Sequence, residues 1–137
     1  MSEEGKEGLS ERKRVLIVDD NKLDAKNEFE ILQKGGFEPI ISEDSTPVPV
    51  IKTIESLSPI DLIISDGLDG DWEKIKNIAR KSGIPFLLVT SDGGYLDHAR
   101  ESGVKGIFRS ALEDEGKGWS FSDWLKENFF EQPKKNG

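Results

Sequence analysis

Three aspartates carry the chemical interest of this sequence. Asp19 and Asp20 follow the apolar run Val15-Leu16-Ile17-Val18, and Asp66 follows Leu62-Ile63-Ile64-Ser65. A third apolar run, Phe86-Leu87-Leu88-Val89, delivers the hydroxyls of Thr90 and Ser91, and a fourth, Gly106-Ile107-Phe108, delivers Arg109 and Ser110. Carboxylates brought together repel, and a divalent cation relieves that repulsion most simply. With no cysteine and a single histidine in the chain, the donors are all oxygen. Such a set suits a hard cation such as Mg2+, which keeps several waters and bridges to phosphate. A carboxylate beside that metal can act as a nucleophile toward a phosphoryl group, and a neighbouring hydroxyl can hydrogen-bond the group transferred. Taken singly, each residue has an ordinary explanation as a turn former or helix cap. The set is what points to chemistry.

The composition narrows the setting. A length of 137 residues suits one domain, since single cores serve chains of ~100–150 residues. The formal charge is −8, against the basic patch of a nucleic-acid binder. The excess lies in the body, where residues 15–130 hold 22 acids and 13 bases. Disulfides and cysteine-based zinc sites are excluded. No apolar run approaches the ~20 residues that cross a bilayer, and no signal-peptide core follows the polar start. These features predict a cytoplasmic domain over 13–130, with solvated tails at 1–12 and 131–137.

To bring the strand-end residues together, the elements between them must alternate. Buried strands are predicted over 15–18, 38–42, 60–65, 85–90 and 106–109. Helical spacing occupies 24–34, a segment after Thr46-Pro47, 71–81, 95–102 and 119–130, with Gly35-Gly36, Gly83 and Gly103 as stops. Continuous apolar strands alternating with helices imply a doubly wound α/β sandwich around a parallel sheet. Ligands in such folds sit beyond the carboxyl ends of the strands, where the three aspartates fall.

The segments Val15-Leu16-Ile17-Val18-Asp19-Asp20-Asn21, Asp61-Leu62-Ile63-Ile64-Ser65-Asp66, Ile84-Pro85-Phe86-Leu87-Leu88-Val89-Thr90-Ser91 and Gly103-Val104-Lys105-Gly106-Ile107-Phe108 resemble the receiver domain of two-component response regulators. The likeness covers roughly 13–130. It implies a flavodoxin-like five-stranded sheet of order 2-1-3-4-5 with five helices. It further implies that Asp66 accepts a phosphoryl group from a histidine kinase or phosphotransfer protein. Asp19, Asp20, Asp66 and the backbone carbonyl of Leu68 would hold Mg2+, and Thr90 would be the switch hydroxyl. The fourth helix, fifth strand and fifth helix would face an output protein or a second copy. Such a domain is a signalling phosphoacceptor rather than an enzyme, apart from promoting its own phosphoryl transfer and dephosphorylation.

The sequence departs from that family at the end of the fifth strand. The usual lysine position falls on Ser110, followed by Ala111, with Arg109 one residue early. Alternation along a strand would turn Arg109 away from the site unless the chain bends there; reaching in, its fork would serve as a substitute cation for phosphate. The loop Asp66-Gly67-Leu68-Asp69-Gly70 lacks the usual Met-Pro element, and Ile107 stands where an aromatic switch residue is common. Two functions follow: a phosphoacceptor receiver, or a pseudo-receiver that binds proteins without switching. A flavin-binding flavodoxin is set aside, because paired carboxylates after the first strand would repel a phosphate. His98 has no partner motif, and only seven residues follow Phe130, so output is expected through protein contacts or a region outside this chain. The aromatic residues Trp119, Trp124, Phe129 and Phe130 of the last helix are expected to leave one or two rings exposed for a partner.

Overall fold

A computed structural model describes residues 12–42 and 44–130; the segments expected as tails, apart from Arg12, lie outside it. The strands are β1 (Arg14–Val18), β2 (Glu38–Ile41), β3 (Leu62–Ser65), β4 (Phe86–Thr90) and β5 (Lys105–Phe108). They form one parallel sheet in the order β2-β1-β3-β4-β5. Between them run α1 (Lys22–Lys34), α2 (Pro47–Leu57), α3 (Trp72–Ser82) and α4 (Gly93–Glu101), with α5 (Phe121–Leu125) closing the chain. The sheet order and five helices are those the resemblance implied.

Period-two alternation divides the strands between two layers. Val15, Ile17, Leu62, Ile64, Leu87 and Val89 face one side, where Ala25 and Leu32 of α1 and Phe121 and Leu125 of α5 complete a core. Leu16, Val18 and Ile63 face the other, against Val50 and Ile54 of α2 and Ile75 and Ala79 of α3. Both faces of β1 and β3 are therefore dry, which explains their unbroken apolar sequence. β2 is an edge strand, pairing only with β1, with Val15 opposite Pro39; the backbone N–H groups of Glu38 and Ser42 donate to Lys13 and Ile17.

The last helix differs from its expected span of 119–130. A regular α-helix covers only Phe121–Leu125, capped by Ser120, whose side chain accepts from the backbone N–H of Asp123. Lys126–Phe130 continues as a π-helix, whose wider turn changes which residues share a face. Phe129 and Phe130 thereby return to the protein, with Phe130 5.8 Å from Phe37 between ring centroids. Trp119, Trp124, Phe129 and Phe130 are all partly buried against the core, so the expected exposed rings are absent there. The exposed large apolar side chains include Leu23, Val48, Ile41 and Phe108.

α5 meets the end of α1 at Gly35. A Cβ built on Gly35 would lie 1.9 Å from Ser122 Oγ and 2.3 Å from its Cβ, and Ser122 is buried, its hydroxyl near the Ile31 carbonyl. Gly35→Ala is therefore expected to cost about 1–3 kcal/mol by overpacking, read as a lower urea midpoint. An unchanged midpoint would show that α5 does not seat on α1 this closely.

Candidate functional site

The carboxyl ends of β1 and β3 place the aspartates together. One carboxylate oxygen from each of Asp19, Asp20 and Asp66 lies within 4.8 Å of the others. Asp19 is buried, Asp66 half-buried and Asp20 exposed. Asp19 Oδ1 accepts the backbone N–H of Asn21 at 2.8 Å, and the Asn21 side chain in turn caps α1 by accepting from Asp24 N at 3.0 Å. That cap starts α1 two residues before the expected position. Thr90 ends β4 almost fully buried, with Oγ1 accepting the N–H of Asp92 at 3.0 Å.

At the fifth strand the chain bends, the condition on which Arg109 could reach the site. β5 stops at Phe108, and Arg109–Asp114 forms a 3-10 helix. Strand alternation does not extend past that point, so the side chain is free to turn inward. Arg109 Nη2 lies 3.0 Å from Asp66 Oδ1 and 3.1 Å from Asp19 Oδ2, and also donates to the Val89 carbonyl at 3.3 Å. Nη1 donates to Glu28 Oε2 at 2.6 Å, and Nε sits 3.7 Å from Asp24. Ser110, at the family's usual lysine position, is exposed on the turn. The guanidinium, and not Ser110, supplies the cation beside Asp66.

Glu28 escaped the sequence reading. On α1 the buried residues are Ala25, Glu28 and Leu32, spaced i, i+3, i+7, so an acid occupies the helix's inward stripe. That spacing was the available signal: a carboxylate among core positions requires a partner. Its side chain is 1% exposed.

Burial dominates the titration here. It pushes Asp19 from its ordinary 3.8 up to about 6, although the Asn21 N–H and Arg109 pull downward. It pushes Glu28 from 4.5 to about 7, against the same guanidinium. Burial acts to lower Arg109 as well, but Glu28 and Asp19 more than offset it, so its charge is held above the ordinary range. Both acids thus bind protons more tightly folded than unfolded. Stability then has a negative slope with pH. The metal-free chain is expected to be most stable below about pH 4 with respect to these two groups, and to lose that contribution between pH 4 and 7. Urea midpoints at pH 5 and 7.5 check this; a higher midpoint at 7.5 would contradict it.

The loop after Asp66 is unusually shaped. Leu68 and Asp69 both have left-handed backbones, with φ of 51° and 53°, a conformation unfavourable for a branched side chain. The Leu68 side chain is buried, and its carbonyl accepts the N–H of Asp71 at 2.9 Å. The carbonyl assigned to a metal by resemblance is therefore already engaged in the turn. Gly67 leaves room for a neighbour: a Cβ there would lie 2.7 Å from the Tyr95 ring and 3.2 Å from Thr90 Oγ1. On the opposite flank a cavity of about 530 Å3 opens beside Asp19, Asp20, Lys22, Ser42 and Asp44.

The donor set is of the kind Mg2+ takes: one carboxylate oxygen from each of three aspartates, all within 4.8 Å of one another, with Asp20 exposed to admit water ligands. Arg109 shares two of these carboxylates, so a bound ion would sit beside a fixed positive charge. Among the described residues no helix is long and apolar enough to cross a membrane.

No protein-family model and no curated protein matches the chain. Solved structures do. A response regulator from Thermotoga maritima is similar with a TM-score of 0.61 and 18% identity, over 85% of this chain and 92% of that one. The chemotaxis protein CheY4 of Vibrio cholerae has a TM-score of 0.59 and 21% identity, over 85% and 95%. A de novo designed Rossmann 2x3 fold protein scores 0.62 at 18% identity, over 91% and 98%. Likeness to a designed protein at the same level marks what is shared as architecture. In sheet order and in the layers that cover it, the chain has the fold of response-regulator receiver domains.

Proposed function

We propose that the chain is a phosphoacceptor receiver domain, with Asp66 as the acceptor and Arg109 in the role that a lysine fills in that family. The observation that carries this reading is the 3.0 Å contact between Arg109 Nη2 and Asp66 Oδ1. It sets a guanidinium beside the proposed acceptor although the usual lysine position holds Ser110. Asp19, Asp20 and Asp66 would hold Mg2+, which when bound neutralises charge on the transferring phosphoryl group. An Asp66 oxygen attacks phosphorus as the bond to the donor's histidine nitrogen breaks. Arg109 orients Asp66 and offers its fork to the phosphoryl oxygens, and the Thr90 hydroxyl lies at the end of the adjacent strand. The donor is a histidine kinase or phosphotransfer protein, and the setting is cytoplasmic. The chain acts as a signalling acceptor rather than as an enzyme on a separate substrate.

A second reading rests on the same contact. Because Arg109 already compensates Asp19 and Asp66, the fold can persist without a metal as a pseudo-receiver that only binds partners. Acetyl phosphate with Mg2+ separates the two. The first reading expects one phosphoryl group per chain, released by alkali or hydroxylamine as an acyl phosphate is, and absent from Asp66→Ala. No adduct on the unmodified chain would leave the pseudo-receiver.

A further inference from the structure

The guanidinium of Arg109 is pinned at both ends, and one end is held by a residue with no part in binding metal or phosphate. Nη1 is bound to Glu28 at 2.6 Å, while Nη2 spans Asp19 and Asp66. Arg109 leaves β5 at the start of a 3-10 turn, so the backbone alone does not aim its long side chain. Without an anchor, a chain of that length loses its orientation to rotamer entropy. Glu28 is fixed instead by a thirteen-residue helix, its side chain buried in the stripe between Ala25 and Leu32. A planar fork held on one side by a buried carboxylate must present its other side in a defined direction. That direction is the strand end where Asp66, Asp19 and the Val89 carbonyl meet.

We infer that Glu28 is the positioning residue of this site, setting Arg109 so that its second nitrogen meets Asp66. Among the described residues, the one side-chain hydrogen bond Glu28 makes is to Arg109, and it is through that contact that it bears on Asp66. The inference deepens the phosphoacceptor reading and rests on it for its kinetic consequence, though the placement of Arg109 can be read without it.

A double-mutant cycle tests the kinetic consequence, using acetyl phosphate and Mg2+ at a temperature where circular dichroism shows every variant folded. Glu28→Gln, which keeps the shape and removes the charge, is expected to slow phosphorylation of Asp66 by about 10- to 100-fold, the range typical of partners that orient a site residue. In an Arg109→Ala background the same substitution should cause no further loss of rate, because the contact through which it aims the site is gone. A wild-type rate in Glu28→Gln, or an equal loss in both backgrounds, would overturn the inference; a purely structural role predicts the latter. Glu28→Asp, retaining the charge on a shorter arm, should recover part of the rate.

Nitrogen NMR of the Arg109 side chain provides the readout that does not depend on phosphorylation. In the unmodified chain, restricted rotation should separate the two Nη signals, and in Glu28→Gln they should average. If the unmodified chain takes no phosphoryl group, the phosphoacceptor reading fails while this measurement still decides the role of Glu28. Averaged signals in the unmodified chain would refute it without any variant.

Discussion

Arg109→Ala is expected to destabilise the chain by about 3 kcal/mol, the lower end of what breaking a buried ion pair costs. The lower end applies because the Arg109 side chain is 17% exposed and Asp66 24%, while Glu28 and Asp19 are each 1%. Removing the guanidinium strands two buried carboxylates without a counter-charge. The loss should shift the thermal midpoint by roughly 10 °C for a domain of this size. It should shrink at pH 5, where Asp19 and Glu28, raised to about 6 and about 7, take up protons. The double variant Glu28→Met with Arg109→Met should recover part of the loss, since well-packed apolar residues commonly replace a buried ion pair without penalty. Urea denaturation at both pH values measures all of this. A loss below about 0.5 kcal/mol for Arg109→Ala would mean the guanidinium does not occupy the acid cluster.

Phe121→Ala is the second large effect, expected at about 3–5 kcal/mol. Phe121 is fully buried, with Trp124 stacked at 6.3 Å and Trp119 at 6.1 Å between centroids. Only five residues of regular helix surround it, far too few to hold themselves together in water. Packing, not helical propensity, therefore keeps α5 on the sheet, and removing its central ring releases most of that packing. Phe108→Ala serves as the contrast: its ring is 44% exposed, and the change should stay within about 0.5 kcal/mol. Similar losses from both substitutions would mean that Phe121 does not anchor α5.

The strands and the aspartates were legible because a strand buried on both faces has one reading. Val15–Val18 is apolar throughout and Leu62–Ser65 at every position but the last, so Asp19, Asp20 and Asp66 stand out as abrupt ends. Arg109 was harder, because its direction depends on where β5 stops. One residue more of strand would have sent it outward, and nothing local in Phe108-Arg109-Ser110 marks the start of the 3-10 turn. Glu28 was legible only in retrospect, since an acid on a helix ordinarily faces water and its partner lies 81 residues away. The π-helical end of α5 depends on the pull of Phe37 and the core on Phe129 and Phe130, a tertiary effect that periodicity does not carry.

The edge strand β2 has a consequence for how these molecules coexist. Glu38 and Ser42 turn their N–H groups inward to β1, so the intervening odd positions turn theirs outward. One of those positions is Pro39, which has no N–H to offer. Along this short stretch Ile41 alone can donate to an incoming chain. An open sheet edge is a template for runaway strand addition, and a proline at an outward position is one of the ways proteins blunt it. Exposed Ile41 and Val48 beside that edge would otherwise make it adhesive. Pro39 thus guards against aggregation at the β2 edge of the sheet.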